Sequence, residues 1–350
     1  MASEAPLIKS VKFQNYKLLR DAFLPLGRVT LIVGPNGSGK STALQALRYL
    51  GGADTPPVQW VLPSGRSVTE GVFPQIWFEL SDFARASLLR LVWHQQQLHV
   101  TVSQRDGSAN SFAQGFGTAV SFGLTLGAGF ERIPVYALDA NRIAEAVPLH
   151  PNVVLQESGT GLAGVLDRLR DQNPERFDAL NQELGRWLPE FDRVLFETPG
   201  QGIRSLALRT RQGRHSIRAA DLSQGTLLAL AILTIAYDPN APRIVGFEEP
   251  ERGIHPRLLR DVQDALYRLA YPENFGEDRQ PTQVVITTHS PYMLDLFRER
   301  PEEIVIAHKE GAEAKFERLV DRIDVDEILR DVSLGEAWYT GILGGVPAEK

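Results

Sequence analysis

The sequence predicts an α/β protein with a mostly parallel core sheet, an N-terminal antiparallel β portion and a helical subdomain. Three observations carry that reading. An apolar run, Val29 to Val33, enters a glycine-rich stretch and then a helix whose Ala43, Leu44, Leu47 and Leu50 recur at helical spacing. Two more apolar runs, Arg243 to Phe247 and Thr282 to Thr288, flank a helix over Pro256 to Tyr271, and this strand–helix–strand rhythm is that of a parallel sheet. Nearer the N-terminus, Gln75 to Leu80, Leu88 to Trp93 and Leu98 to Val102 read as strands, the last two spaced to pair as a hairpin.

The remaining elements follow in order. Ile8 to Phe13 is an opening strand. Gly51 to Arg66, rich in Gly and Pro, is a loop. Ser108 to Phe130 is low in charge and rich in Gly, Ser and Thr, the composition of a mobile or irregular excursion. Ile133 to Leu138 returns to strand. Thr160 to Arg170 and Pro174 to Trp187 are amphipathic helices, and Pro174 suits a first-turn position. Ile203 to Thr210 and Arg214 to Ile217 are strands around Gln212-Gly213, and a third helix starts near Ser223. No heptad run of useful length appears, which argues against a long coiled-coil arm.

Composition narrows the function. The chain has 350 residues, 43% hydrophobic and 23% charged, enough for a full core without staples. Cysteine is absent, which excludes disulfides, thiolate metal sites and a cysteine nucleophile. The net charge of −6 excludes a uniformly basic coat and leaves room for a local basic patch. Met1 to Pro6 carries no apolar targeting region, and the most apolar stretch, Leu227 to Tyr237, is too short to span a bilayer. The expectation is a cytoplasmic protein with no membrane partner.

Chemistry enters with Gly34-Pro35-Asn36-Gly37-Ser38-Gly39-Lys40-Ser41, which satisfies G-x-x-x-x-G-K-[ST] in full. It follows an apolar strand and opens a helix, the context that motif requires. Glycines let successive backbone N–H groups turn toward phosphate oxygens, and the helix N-terminus adds positive potential. Lys40 is placed to reach the β- and γ-phosphates of ATP, Ser41 to ligate Mg²⁺, and Thr42 to meet the α-phosphate.

Two strands end in polar residues. Ile244 to Phe247 delivers Glu248 and Glu249, of which we assign the first to the metal and the second to the general base that activates water. Glu251 reads as surface. Val284 to Thr288 delivers His289, placed for the γ-phosphate. Acids at the C-terminal end of a parallel strand sit where open α/β sheets bind ligands.

These residues resemble the ABC-type ATPase heads of the RecF/SMC class, and within it the short stand-alone ATPases related to the OLD proteins. Gly34 to Thr42 is similar to Walker A. Leu222-Ser223-Gln224-Gly225-Thr226 resembles the ABC signature. Glu248 to Pro256 is similar to Walker B with the D-loop, and Thr288-His289-Ser290-Pro291 to the switch-histidine loop. Ile8 to Leu19 and Leu334 to Tyr339 resemble the family's opening strand and C-terminal segment. The resemblance implies a P-loop NTPase fold and a head over 1–350. Its parts are a Walker A lobe (1–80), an inserted β-hairpin and helical subdomain (81–220), and a lobe with signature helix, Walker B, D-loop and switch histidine (221–350). It implies ATP and Mg²⁺, and an ATP-dependent homodimer in which Ser223 and Gly225 of one copy meet the nucleotide of the other. It also implies a Q-loop residue near the metal, for which Gln59 is the first candidate and Gln75 the alternative. Three departures stand out: Gln224 and Thr226 in the signature, and Glu248 where the family usually has Asp.

Pro199 to Ala220 contains no acid and carries Arg204, Arg209, Arg211, Arg214 and Arg218. These either meet DNA phosphates without reading sequence or guard a solvated edge strand. The functional expectation is a soluble ATPase whose dimerisation acts on DNA or controls a partner effector, in DNA repair or phage defence. The alternative is the nucleotide-binding subunit of a membrane ABC transporter. The wide span from Lys40 to Ser223 and the relaxed signature argue against that. A nuclease domain after the head is not expected, given the short segment beyond His289. Asp324 and Asp326 read as solvated acids before a helix.

Overall fold

In the computed structural model, the described residues are 7–51, 56–63, 73–81, 86–94, 97–115, 133–311 and 313–344. They fall into two compact units. The first comprises Met1–Val135, Pro242–Gly246 and Gln280–Lys350; the second comprises Tyr136–Ala241 and Phe247–Arg279.

The first unit holds an antiparallel sheet in the order β2-β1-β4-β5-β6-β7. Its strands are β1 (Ile8–Tyr16), β2 (Leu19–Pro25), β4 (Gln75–Leu80), β5 (Ala86–His94), β6 (Gln97–Gln104) and β7 (Ala109–Gly115). Alternation puts Val11, Phe13, Ile76, Phe78, Leu89, Leu91, Leu98 and Val100 on one buried face. The expected hairpin is β5–β6, with Leu91 opposite Val100. β2 was not expected; its Leu19, Ala22 and Leu24 are buried against β1. Strand β7 occupies the start of the stretch read as an irregular excursion. Ala109 to Ala113, all exposed, carry little periodic signal, and pairing with β6 makes the segment a strand. The rest of that excursion to Phe130, the targeting reading of Met1 to Pro6, and part of the Gly51 to Arg66 loop lie outside the described residues.

The core sheet runs β16-β15-β3-β14-β13-β8. Its strands are β3 (Val29–Val33), β8 (Val135–Tyr136), β13 (Ile244–Glu248), β14 (Gln283–Thr288), β15 (Ile304–Glu310) and β16 (Glu313–Arg318). β14 and β15 both lie parallel to β3. β15 and β16 form an antiparallel edge hairpin that the sequence reading passed over. Every residue of β3 and β14 is buried, the pattern of a strand covered on both faces. Gln283, 3% exposed, ties the two sheets. Its amide nitrogen donates to the carbonyls of Ile8 and Gly27, both at 2.8 Å, while its oxygen accepts from Ile8 N at 2.9 Å. A buried amide with its groups satisfied specifies one arrangement of the strands it joins. Helix α1 (Lys40–Ala46) follows β3 and tightens into a 3₁₀ turn, Leu47–Gly51.

The second unit is mostly helical: α2 (Ala140–Ile143), α3 (Leu162–Gln172), α4 (Pro174–Trp187), α5 (Gln224–Tyr237) and α6 (Leu259–Ala270). A small antiparallel sheet accompanies them, with β10 (Phe191–Gly200), β11 (Ile203–Thr210) and β12 (Ser216–Arg218) in order and β9 (Val147–Pro148) on β11. β10 is a further strand not read from the sequence. Pro174 does open α4. In α5 all residues from Thr226 to Tyr237 are buried, so the helix is apolar all round because it is a core helix. Three short helices of the first unit, α7 (Pro291–Leu296), α8 (Val325–Asp331) and α9 (Leu334–Tyr339), complete the described elements. No described helix is long and apolar enough to cross a membrane.

Candidate functional site

The glycine-rich loop leaves β3 and closes into α1. Gly37 and Gly39 take φ of 75° and 91°, values that L side chains rarely adopt. Gly39 is also tightly enclosed: a Cβ there would lie 2.9 Å from Leu19 Cδ2. Asn36 and Gly37 are exposed and Pro35, Ser41 and Thr42 half-buried, while Gly34, Ser38, Gly39 and Lys40 are buried. The Lys40 ammonium donates to the carbonyls of Gly34 (2.6 Å) and Pro35 (3.0 Å), which holds it inside the loop. The buried Ser38 hydroxyl has no partner among the described residues. No side chain caps the first turn of α1, so its amides keep their donors for an anion.

Register brings the histidine to the same sheet edge. Thr288 pairs with Val33 in the parallel ladder, so Gly34 and His289 are each the next residue beyond level strand ends. His289 is exposed. Behind it, Thr288 Oγ1 accepts from Ser290 N at 3.0 Å and the Ser290 hydroxyl caps α7 by accepting from Met293 N at 3.3 Å, which fixes the turn.

β13 is the neighbour of β14, and Gln283 N donates to Arg243 O at 2.8 Å, so the two strands begin level. The apolar residues Ile244 to Phe247 are buried; Glu248 and Glu249 at the strand's end are half-buried. Glu249 has φ of 48°, in the left-handed region. It precedes Pro250, a position that favours extended backbone. Its carbonyl accepts from Arg252 N at 3.0 Å, closing a tight turn. Strained backbone of this kind persists where surrounding structure over-determines it, and it clusters at functional sites.

A cavity of about 420 Å³ is lined by Glu248, Glu249, Arg252 and Asp139, with the Tyr136 and Phe247 rings 5.5 Å apart among its walls. Asp139 was not anticipated. The signal was present: Ile133 to Leu138 was read as a strand, and Asp139 is the polar residue it delivers, as Glu248 and His289 are for theirs. The observed strand β8 is shorter, Val135–Tyr136.

The Ser223 hydroxyl caps α5, accepting from Thr226 N at 3.1 Å. Ser223 and Gln224 are exposed and Gly225 half-buried. A Cβ on Gly225 would lie 2.9 Å from the Gly253 carbonyl, so the start of α5 packs directly on the turn that follows Glu249.

Gln59 is exposed in a 3₁₀ turn, Val58–Trp60. Gln75 lies in β4, and its side chain accepts from Arg90 Nε and Nη2 at 3.1 and 2.6 Å. The arginines of the hairpin are likewise largely committed. Arg209 makes a two-point contact with Asp192, Arg204 lies 3.2 Å from Asp167, and Arg218 lies 3.3 Å from Glu197. Arg211 donates to the carbonyls of Gly185, Pro189 and Phe191. Arg214 is exposed in the turn at φ of 51°. The acids were invisible in the arginine-rich segment itself because they come from β10 and α3.

Residues 128–295 match the family model described as "AAA domain, putative AbiEii toxin, Type IV TA system", and residues 7–59 match "AAA ATPase domain". The chain is 24% identical over 329 residues to an OLD nuclease of Thermus scotoductus, covering 83% of this chain. It spans 60% of that relative's length. Among solved structures, an SMC head bound to the C-terminal winged-helix domain of ScpA superposes with a TM-score of 0.59 at 15% identity, covering 89% of this chain and 97% of that one. An Smc head with an extended coiled coil, bound to the C-terminal domain of ScpA derived from Pyrococcus furiosus, gives 0.59 at 13% identity, covering 93% and 100%. The two superpositions establish an SMC-head-like α/β fold. The family matches, both to AAA domains and one of them to an ATPase domain by description, support an ATP-hydrolysing enzyme.

Proposed function

We propose that this chain binds ATP and Mg²⁺ at the loop Gly34 to Thr42, hydrolyses the γ-phosphate, and pairs head to tail with a second copy. In that pair, Ser223 and Gly225 of one copy complete the site of the other. The observation that carries the reading is the loop itself, with its left-handed glycines, buried Lys40 and uncapped helix start.

Each residue's task follows from its chemistry. Backbone amides from Asn36 to Thr42 hold the phosphates, and Lys40 turns its donors from the Gly34 and Pro35 carbonyls to the β- and γ-oxygens. Ser41 and Glu248 offer hard oxygen donors, which fit Mg²⁺. When bound, the ion neutralises phosphate charge. Glu249 takes a proton from the attacking water, and His289 donates a hydrogen bond to the γ-phosphate. The exposed Ser223 hydroxyl and the amides at the start of α5 present donors to a partner's nucleotide.

Such pairing serves to control a partner effector in the cytoplasm, in phage defence or DNA repair; the family description, which names a toxin of a toxin–antitoxin system, supports the part played by an effector. DNA contact through the arginine hairpin is not part of the proposal, because Arg204, Arg209 and Arg218 are paired with acids. The transporter-subunit reading gains nothing from the relatives reported above.

The test mixes two inactive variants. Ser223→Arg keeps its own Lys40 loop, and Lys40→Ala keeps its signature. Neither should hydrolyse ATP alone, while the mixture rebuilds one site and recovers part of the turnover. Wild-type turnover per chain should rise with concentration. Full activity of a strictly monomeric Ser223→Arg protein would refute the shared site.

A further inference from the structure

We infer that Asp139 is a catalytic residue of this ATPase: its carboxylate accepts a hydrogen bond from the attacking water and aims it, while Glu249 removes the proton. The inference rests on the proposed function and names a residue that the sequence motifs do not contain.

Four observations converge on it. The first is topological. β8 is the neighbour of β13, and Gly246 N donates to Pro134 O at 2.9 Å, so the segment leading to Asp139 enters the sheet beside the strand that ends in Glu248. The second is the shared cavity of about 420 Å³, which Asp139 lines together with Glu248 and Glu249. That volume is ample for a water beside a phosphoryl group.

The third is preorganisation. Asp139 Oδ1 accepts from Asn141 N at 2.8 Å and from Arg142 N at 3.3 Å, capping α2. Its own N–H donates to Ser158 O at 2.9 Å, and Ala137 N donates to Glu157 O at 3.0 Å. These bonds orient the exposed carboxylate through Oδ1. An acceptor fixed beforehand costs no reorganisation when the water reacts. The fourth is stoichiometric. An attacking water has two hydrogens, and a single base accounts for one of them. A second acceptor is needed to set the direction of the lone pair, and Asp139 is the further carboxylate lining the cavity of Glu248 and Glu249.

The chemistry balances without any further reagent. The water oxygen bonds to the γ-phosphorus, one proton passes to Glu249, and the bond from the γ-phosphorus to the β–γ bridging oxygen breaks to release ADP. The hydrogen bonded to Asp139 stays on the new phosphate oxygen. Asp139 is thus an acceptor throughout and never a proton carrier. The other charged groups nearby are Arg252 across the cavity, Arg142 and Glu145 on the same loop and helix, and Glu157 in the turn behind.

Asp139→Asn separates this role from the helix cap, since Asn caps as well as Asp but its amide nitrogen cannot accept. The expected result is a kcat lower by on the order of tenfold to a hundredfold. KM, ATP affinity by calorimetry and melting temperature should match wild type. Affinity for ADP with aluminium fluoride, which mimics the in-line transferring phosphoryl group and its water, should fall in the same proportion as kcat. Asp139→Ser, another good cap, is the second variant and should behave alike. Wild-type kcat and wild-type aluminium fluoride affinity in both variants would overturn the inference. So would a loss of kcat that tracks a fall in melting temperature and leaves aluminium fluoride binding intact, since that is a cap effect. Lys40→Ala in parallel tests the underlying reading: if wild type itself turns over no ATP, or Lys40→Ala binds and hydrolyses it normally, the ATPase assignment fails first and the role of Asp139 with it.

Discussion

Replacing Glu249 by glycine should make the protein more stable than replacing it by alanine, although both variants lose the same carboxylate. Glu249 has φ of 48° and stands before Pro250. A residue with a Cβ pays about 1–2 kcal/mol to occupy the left-handed region. Glycine avoids that cost but gives back about 0.4–1 kcal/mol through the freedom it gains in the unfolded chain. The balance favours Glu249→Gly over Glu249→Ala by about 0.5–1 kcal/mol. For a unit of this size, 1 kcal/mol shifts the midpoint by about 2–4 °C, so the melting temperatures should differ by about 1–4 °C. Differential scanning calorimetry of both variants measures the shift, and urea unfolding checks that the slope is unchanged. Glu249→Gln keeps the strain, binds ATP, and should turn over at least a hundredfold more slowly, on the order expected for losing a general base. Equal stability of the glycine and alanine variants would show that the turn after β13 does not hold this backbone left-handed. Near-wild-type turnover of Glu249→Gln would remove Glu249 as the base.

Lys40→Ala should weaken ATP binding by calorimetry by at least about tenfold, since hydrogen bonds to charged groups contribute about 1.5–3 kcal/mol; unchanged affinity would argue against the loop assignment. Gly225→Ala drives a Cβ to 2.9 Å from the Gly253 carbonyl and should cost about 1–3 kcal/mol in urea unfolding, while ATP binding at the Lys40 loop persists. Acid should weaken the second unit through Glu277. Burial raises its pKa, but the Arg279 hydrogen bond and the charges of Arg279, Arg268 and Arg176 outweigh that and leave it below the ordinary value of 4.5. Its contribution is therefore present above pH 4.5 and lost as the pH falls further, so wild type should lose melting temperature below that point. Glu277→Gln should start lower and lose less over the same range; parallel acid curves would refute the assignment.

The glycine-rich loop after β3, the acids after β13 and the histidine after β14 were legible in the chain because each is a short contiguous string with its own local geometry. Strand, glycines and helix start follow one another from Val29 to Ala46, and a phosphate cradle is made of consecutive backbone amides. Ser223 could be recognised for the same reason: a cap acts on an amide three residues away. Buried strands such as Gln283–Thr288 were visible as unbroken apolar runs.

What escaped depends on partners distant in sequence. β7 and β16 have little apolar pattern of their own and exist because β6 and β15 offer open edges. The arginine segment contains no acid, yet Asp167, Asp192 and Glu197 neutralise much of it from other elements, and no composition window could include them. The partner of Gln75, Arg90, likewise comes from another strand. Asp139 is the mirror case: the sequence shows a polar residue at the end of a strand but not what stands beside it. Strand order alone sets β8 beside β13 and brings Asp139 to the cavity of Glu248 and Glu249. Local motifs are written in consecutive residues because backbone geometry is local; the company a side chain keeps is decided by sheet order and register, which arise only when the whole chain packs.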